Sequence, residues 1–228
     1  MAMDDLVARI LSQRQLVPKT RSQLVAVSGI DGSGKGYVTR QIVARLAQQS
    51  VATASINVDG WLNLPQKRFN PNMPAENFYR QAIRFEDLFA KLLLPLRDAR
   101  SVHLIADFAE ESAHTYCSHT YSFKNIDVVL VEGIFLFKRD YRKLFDLKIW
   151  VDCSFSTALA RALRRNQEGL SPVATIRAFD TIYFPAQRIH FEKDQPRESA
   201  DLIVDNDPDP YFASTPLKEI VTRQSLAL

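Results

Sequence analysis

The chain has 228 residues, of which 46% are hydrophobic and 24% are charged, and its formal net charge is +3. This length and composition are typical of one globular domain with a sizeable core. The small net charge gives no bulk electrostatic reason to expect a nucleic-acid partner. Any affinity for phosphate groups must therefore come from local clusters of side chains.

We expect neither a secretory nor a membrane-spanning segment. The N-terminal run MAMDDLVARI is acidic, and the longest apolar runs, VVLV and IFLF, are far shorter than the ~18 residues that a membrane helix needs. The two cysteines, Cys117 and Cys153, give no disulfide framework, which favours a reducing compartment. We therefore expect a cytoplasmic protein with neither a membrane nor a nucleic-acid partner.

Predicted strands and helices alternate along the chain. The first helix, DDLVARILSQRQ, has an apolar stripe that could pack on the domain or on a partner subunit. A homo-oligomer is therefore one of the two oligomeric states that the sequence allows. Short apolar runs predict strands at 24–29, 51–59, 101–108, 127–133, 147–152 and 200–206. Amphipathic stretches predict further helices at 35–49, 76–97, 154–167, 172–191 and 214–226.

This alternation predicts an α/β fold in three αβα layers, with a parallel five-stranded sheet at its core. Residues 64–77 break the pattern with three prolines and no periodicity, which is typical of a loop on the rim. A domain boundary there is the other interpretation, although no second core follows it. We predict one domain over 1–228, with a core at 22–206, a substrate-side insertion at about 64–98 and a helical lid at about 161–175.

The run GIDGSGKG, residues 29–36, fits seven of the eight positions of the phosphate-binding pattern G-x-x-x-x-G-K-[ST]. It follows a predicted strand and opens a predicted helix, which is the context that the motif requires. Backbone N–H groups and the helix dipole hold phosphate oxygens in such loops, and the lysine adds a point charge. We expect ATP to bind at Gly29, Asp31, Gly32, Ser33, Gly34, Lys35, Gly36 and Tyr37.

The eighth position departs from the pattern, because Gly36 stands where a serine or threonine hydroxyl normally binds magnesium. Magnesium usually keeps several waters, so a water can take the missing ligand's place. We therefore expect weaker magnesium binding rather than loss of nucleotide binding. Thr39 lies about one helical turn further on and cannot substitute for the missing hydroxyl.

Four carboxylates end predicted strands: Asp59, Asp107, Glu132 and Asp152. One such acid alone is often only the point where a buried strand meets water, but ligands bind at this edge of a parallel sheet. Phosphoryl transfer needs one carboxylate for magnesium and another to accept the proton of the attacking hydroxyl. We assign Glu132 to magnesium and Asp59 to the base, with Asp59 also a magnesium ligand. Asp107 could hold substrate hydroxyls, and Asp152 fits a structural role.

The predicted helix at 154–167 is basic, with Arg161, Arg164 and Arg165 spaced so that Arg161 can share a face with either of the others. Arginines on a closing lid stabilise charge on a transferring phosphoryl group. We assign Arg161 and Arg164 to this role and rank Arg165 below them. A solvated helix face is the alternative interpretation.

Taken in order, these segments resemble the uridine kinase and phosphoribulokinase family of P-loop kinases. The resemblance extends over residues 22–206, through GIDGSGK, VDGW, DVVLVEGIFLF, WVD, ARALRR, YFPA and ADLIV. It implies a P-loop NTPase fold with ATP and Mg²⁺, Asp59 as the base, and Arg161 with Arg164 in the lid. It also makes Tyr183, in YFPA, a candidate for substrate binding. GIDGSGK is similar to thymidylate kinases too, but their Asp-Arg-aromatic step is replaced here by DGW.

Two departures from the family concern the acceptor. Uridine kinases carry an Asp-His-Pro-Asp segment where this chain reads FYRQAIRFED, residues 78–87, with Arg80 and Arg84. They also carry a Tyr-Asp-aromatic step, in which Ala106 replaces the tyrosine, and then a base-reading histidine that His114 could match. Arg80 and Arg84 suit an acceptor with its own negative charge. A sugar phosphate or a carboxylate therefore stands beside a nucleoside such as uridine as the hypothetical acceptor.

These residues together predict an ATP-dependent small-molecule kinase that transfers the γ-phosphate to an acceptor hydroxyl. The alternative is a P-loop module that binds nucleotide with little or no kinase activity. Gly36 favours that alternative. Asp59 speaks against it, because a pure binder has no need of a catalytic base.

Overall fold

The structure, a computed structural model, describes residues 2–165 and 169–207. The helix predicted at 214–226 lies outside these residues, as do residues 166–168 of the predicted lid. Within the described ranges, no helix is both long enough and apolar enough to cross a membrane.

A parallel five-stranded sheet forms the centre of the domain, as predicted. In chain order the strands are β1 (Gln23–Ser28), β2 (Thr53–Asn57), β3 (Val102–Phe108), β4 (Cys117–Phe123), β5 (Val128–Gly133), β6 (Leu147–Asp152) and β7 (Leu202–Asp205). The sheet has the order β2-β5-β1-β6-β7, and every neighbouring pair in it is parallel. Strands β1 and β5 are buried along almost their whole length, as parallel strands covered on both faces must be.

Helices cover both faces of the sheet. They are α1 (Met3–Leu16), α2 (Lys35–Gln48), α3 (Pro65–Arg68), α4 (Pro74–Gln81), α5 (Phe85–Asp87), α6 (Leu94–Ala99), α7 (Phe155–Arg165), α8 (Pro172–Ala178) and α9 (Phe184–Asp194). Apolar residues of α1 and α2 pack on one face of the sheet, where Val25 and Val27 of β1 point. On the other face, Leu24 and Ala26 pack in a larger core with residues of α4, α6, α7 and α9. The predicted three-layer αβα architecture is confirmed.

The long helices predicted at 76–97 and 172–191 are interrupted. Each contains a π-helical turn, at Leu88–Leu93 and at Phe179–Tyr183. A proline follows each turn within two residues, in LPLR and in FPAQ. Proline has no N–H to donate and its ring clashes with the carbonyl four residues earlier, so the helix widens before it.

A hairpin replaces one predicted sheet strand. Strand β3 matches the strand predicted at 101–108, but it pairs antiparallel with β4 in a separate two-stranded sheet. Its residues alternate between exposed and partly buried, whereas β1 and β5 at the centre of the main sheet are buried on both faces. The polar residues His103 and Asp107 on its exposed face were the signal for this in the sequence.

Candidate active site

The phosphate-binding loop joins β1 to α2. Gly32 and Gly34 have φ angles of +77° and +91°, in the left-handed region that favours glycine. A Cβ on Gly32 would collide with the carbonyl oxygen of Ala158, and one on Gly34 with the side chain of Asn206. The glycines therefore set the path of the loop and let α7 and the end of β7 approach it.

Lys35 is buried at the first position of α2, and its Nζ donates a hydrogen bond to the carbonyl oxygen of Ile30 at 2.9 Å. The loop folds around this amine. The buried hydroxyl of Ser33 has no hydrogen-bond partner among the described residues. A loop with a buried amine, an unpaired hydroxyl and a helix N-terminus fits the phosphates of a nucleotide.

The order of the strands brings the carboxylates to this loop. Strand β5 lies between β1 and β2, and Glu132 pairs with Val27 on one side and Asn57 on the other. The side chain of Asn57 accepts a hydrogen bond from the backbone N–H of Asp59 at 2.8 Å, at the start of the 3₁₀ turn Val58–Gly60. This bond fixes the turn that presents Asp59 beside Glu132.

Gly133 allows the turn to come so close to β5. A Cβ on Gly133 would collide with the Cγ2 atom of Val58. The Glu-Gly pair at the end of β5 therefore combines a carboxylate with the space for the turn that carries Asp59.

Asp59 borders three cavities, which we name by their position. The nucleotide cavity, of about 410 Å³, is lined by Lys35, Gly36, Tyr37, Arg40, Glu132, Arg161 and Arg165. The hairpin cavity, of about 710 Å³, is lined by Asn57, Phe108, His119 and Tyr121 among others. The buried cavity, of about 80 Å³, is lined by Asp31, Lys35, Arg68, Phe78, Glu132, Arg165 and Tyr183 among others. Asp59 thus borders the cavity beside the phosphate-binding loop and two further cavities.

Two carboxyl groups of the site are harder to ionise than usual. Burial raises the pKa of Glu132, and the charge of Asp59 adds to this, while Lys35 opposes it. Burial likewise raises the pKa of Asp31, again against the charge of Lys35. A divalent cation would relieve the repulsion between Glu132 and Asp59, because magnesium prefers carboxylates and phosphate oxygens as ligands. The donor set therefore fits Mg²⁺ carried by ATP.

The raised pKa of Glu132 predicts that Glu132→Gln stabilises the free protein more at pH 8 than at pH 5. The native state holds this proton at a pH where the unfolded chain has lost it, so the free energy of unfolding of the wild type falls as pH rises between the two pKa values. Glutamine carries no charge to bury. Urea unfolding at both pH values measures the difference in the free energy of unfolding between Glu132→Gln and the wild type. The same difference at pH 5 and pH 8 would contradict a raised pKa of Glu132.

Gly36 faces the same carboxylate. A Cβ built on Gly36 would lie 3.4 Å from Oε2 of Glu132 and 3.6 Å from a guanidinium nitrogen of Arg40. A serine side chain at this position would therefore fit with a small adjustment and lie beside Glu132, the expected magnesium ligand.

We expect Gly36→Ser to tighten magnesium binding to the protein–nucleotide complex by several-fold, because it adds an oxygen ligand. Titration of magnesium into the protein saturated with ADP measures the affinity, and Gly36→Ala, which adds the Cβ without the hydroxyl, is the matched control. Equal magnesium affinity in the serine and alanine variants would show that no metal lies beside this position.

The arginines of α7 are divided differently from the sequence prediction. Arg161 donates hydrogen bonds to the carbonyl oxygens of Ser33 at 3.0 Å and Asn206 at 2.6 Å, so it holds the phosphate loop against the end of β7. Arg165, one turn later on the same face, lines both the nucleotide cavity and the buried cavity. Arg164 is exposed and borders none of the three cavities. From the sequence, Arg164 ranks above Arg165, but the structure places Arg165, and not Arg164, at two of the cavities that Asp59 borders. A role of Arg164 in the lid stays a prediction.

The predicted acceptor residues are dispersed. Tyr183 lines the buried cavity with Asp59, whereas Arg80 and Arg84 border a separate cavity of about 940 Å³ that Asp59 does not line. The side chains of Asp107 and His114 are exposed on the hairpin side and border none of the Asp59 cavities. Their roles in substrate binding stay predictions.

Sequence reasoning missed Arg68. Residues 64–77, predicted to be a loop, contain α3 and the start of α4, and Arg68 at the end of α3 is only 2% exposed. A four-residue helix is too short to give a periodic signal, so nothing in the run LPQKRF distinguished Arg68 from its neighbour Lys67. Only the fold shows that one of the two basic side chains is buried beside Asp59.

Comparison with known proteins points to one family. A family model described as phosphoribulokinase / uridine kinase family matches residues 24–176. A uridine kinase of Staphylococcus aureus (strain JH9) is 29% identical over 187 residues, which cover 79% of this chain and 86% of that protein.

Solved structures show the same fold. A possible uridine kinase from Bacillus stearothermophilus has a TM-score of 0.71 at 21% identity, over 89% of this chain and 97% of that one. The phosphoribulokinase from Rhodobacter spheroides has a TM-score of 0.57 at 12% identity, over 84% of this chain and 72% of that one. At these identities the structural likeness shows the fold alone.

Proposed function

Because the chain belongs to the phosphoribulokinase / uridine kinase family, we propose that it is an ATP-dependent kinase that phosphorylates a hydroxyl group of a small molecule. The observation that carries this proposal is the meeting of Lys35, Glu132 and Asp59 at one edge of the sheet. The three side chains line one cavity, and Asp59 also borders the cavities in which an acceptor would lie.

Each residue has a role that its position supports. The loop amides and Lys35 would hold the β- and γ-phosphates of ATP. Glu132 and Asp59 would hold the magnesium ion, which neutralises phosphate charge when it is bound. Arg165 faces the same cavity and would stabilise charge on the transferring group, while Arg161 keeps the loop in place.

The transfer step requires a base on the acceptor side. Asp59 would accept the proton of the acceptor hydroxyl as its oxygen forms a bond to the γ-phosphorus. The bond from the γ-phosphorus to the bridging oxygen breaks, and that oxygen leaves with ADP. The products are ADP, a phosphate ester of the acceptor, and one proton.

A nucleoside is one acceptor that the site supports. The related protein from Staphylococcus aureus is named uridine kinase. In the hairpin cavity, His119 stacks on Phe108 with ring centroids 5.2 Å apart and meets Tyr121 edge to face at 4.5 Å. Aromatic rings of this kind can stack on a nucleobase.

The test is ADP release from Mg-ATP in the presence of uridine, cytidine, other nucleosides, pantothenate, ribulose 5-phosphate and related sugar phosphates. We expect one class of acceptor to raise the rate well above the rate with ATP alone. ATP binding without any rise would contradict the proposal for these acceptors and would favour a nucleotide-binding module.

A further inference from the structure

We propose that Arg68 binds a negatively charged group of the acceptor, a carboxylate or a phosphate, so that the substrate is a small anionic compound with a free hydroxyl. This inference rests on the proposed function and names the substrate class of the same site.

Arg68 is a buried cation that forms no ion pair with a described carboxylate, although Glu111 lines the same cavity. Arginine is rarely so buried unless a carboxylate pairs with it, because an unpaired charge is costly to remove from water. Among the described residues the Nε of Arg68 has no hydrogen-bond acceptor. One terminal nitrogen donates to the backbone carbonyl of Glu111. Burial lowers the pKa of Arg68, and the charge of Glu111 only partly opposes this.

The position of Arg68 suits a role in binding an anionic ligand. It lines the buried cavity together with Asp59, Phe78, Glu111 and Tyr183. A guanidinium has a planar fork of donors that matches the oxygens of a carboxylate or a phosphate. An acceptor held by its anionic end at Arg68 would present its other end, with the hydroxyl, towards Asp59.

Other arginines near the insertion are already engaged. Arg80 is largely exposed and pairs with Glu76 at 2.8 Å. Arg84 lies between the rings of Trp61 and Tyr116, at 5.2 and 4.7 Å from their centroids, and donates to backbone carbonyls. Neither borders a cavity with Asp59, so Arg68 is better placed than either to recognise a charged acceptor.

The size of the buried cavity favours a compact acceptor. Its volume is about 80 Å³. Sites for drug-sized ligands enclose roughly 300–1,000 Å³. A nucleoside would instead suit the hairpin cavity, which Arg68 does not line. The two cavities therefore predict acceptors of different charge and size.

The experiment compares matched anionic and neutral acceptors by ADP release. The pairs are glycerate with glycerol and ribulose 5-phosphate with ribulose, and uridine is the neutral nucleoside. We expect the wild type to prefer an anionic member over its neutral partner, and the pair that responds distinguishes a carboxylate from a phosphate.

Variants assign the preference to Arg68. Loss of hydrogen bonds to a charged group predicts that Arg68→Met lowers kcat/KM for the anionic acceptor by roughly 10- to 100-fold, mainly through KM, while KM for ATP stays unchanged. Arg68→Lys, which keeps the charge but not the fork, should recover part of the loss. Lys67→Met is the matched control, because it removes an exposed charge from the same helix.

Each outcome decides the inference. If uridine or another neutral acceptor reacts best, or if Arg68→Met changes KM for the anion no more than Lys67→Met does, the inference is wrong while the kinase proposal stands. If no acceptor reacts although ATP binds, the kinase proposal fails first. Thermal unfolding and ATP binding report whether each variant is folded, and if Arg68→Met unfolds, the wild-type preference and Arg68→Lys decide.

Discussion

Asp59→Asn should lower the rate of phosphoryl transfer by roughly 10²- to 10⁴-fold, the usual contribution of a positioned general base. Asparagine has nearly the same shape, so the 3₁₀ turn and its hydrogen bond from the Asp59 N–H to Asn57 should persist. The amide cannot accept the proton of the acceptor hydroxyl. ADP release with the best acceptor measures the loss.

Two controls make this result specific. Affinity for ADP without magnesium should stay within a few-fold of the wild type, because Lys35 and the loop amides are unchanged. Asp5→Asn, at an exposed position on α1, should leave the rate unchanged. Full activity of Asp59→Asn would remove Asp59 from the reaction and leave the site without its proposed base.

Lys35→Ala should weaken ATP binding at least tenfold and lower kcat by roughly 10²- to 10³-fold, the effect of removing one preorganised group that stabilises developing charge. The amine is buried within the loop, where it is positioned for the phosphates. Isothermal titration with ADP and with a non-hydrolysable ATP analogue measures affinity, and ADP release measures turnover.

Lys35→Ala thus affects both binding and chemistry, whereas Asp59→Asn affects chemistry. Lys19→Ala, an exposed lysine before β1, is the control for loss of one positive charge. Nucleotide affinity equal to that of the wild type in Lys35→Ala would show that the phosphates bind elsewhere.

The fold and the meeting of Lys35, Asp59 and Glu132 at one edge of the sheet were predictable because their signals are local. Parallel strands appear as continuous apolar runs, and the phosphate loop is a spacing of glycines and one lysine. Asp59 follows the apolar run of β2, and Glu132 lies at the end of the apolar run of β5. Because β2 and β5 are neighbours in the sheet, the two acids meet. Residues that follow parallel strands lie at one edge of the sheet, so this edge could be read from the sequence, whereas the order of the strands came from the structure.

The acceptor end was less predictable because its contacts are non-local. Arg80 and Arg84 stand out in the sequence, but their surroundings of Glu76, Trp61 and Tyr116 engage them elsewhere. Arg68 stands in a run with no periodic pattern, and its burial depends on packing against distant elements. Similarly, the sequence does not show whether Arg164 or Arg165 of α7 faces the site, because that depends on which face of the helix is buried.

The most direct test of the central claim follows the phosphoryl group itself. The protein is incubated with magnesium and ATP labelled with ¹⁸O in the γ-phosphate, together with a mixture of small metabolites, and the products are analysed by mass spectrometry. The account predicts a labelled phosphate ester that forms with the wild type and forms at least about a hundredfold more slowly with Asp59→Asn. Label found only in ATP and inorganic phosphate, with ATP shown to bind, would contradict it.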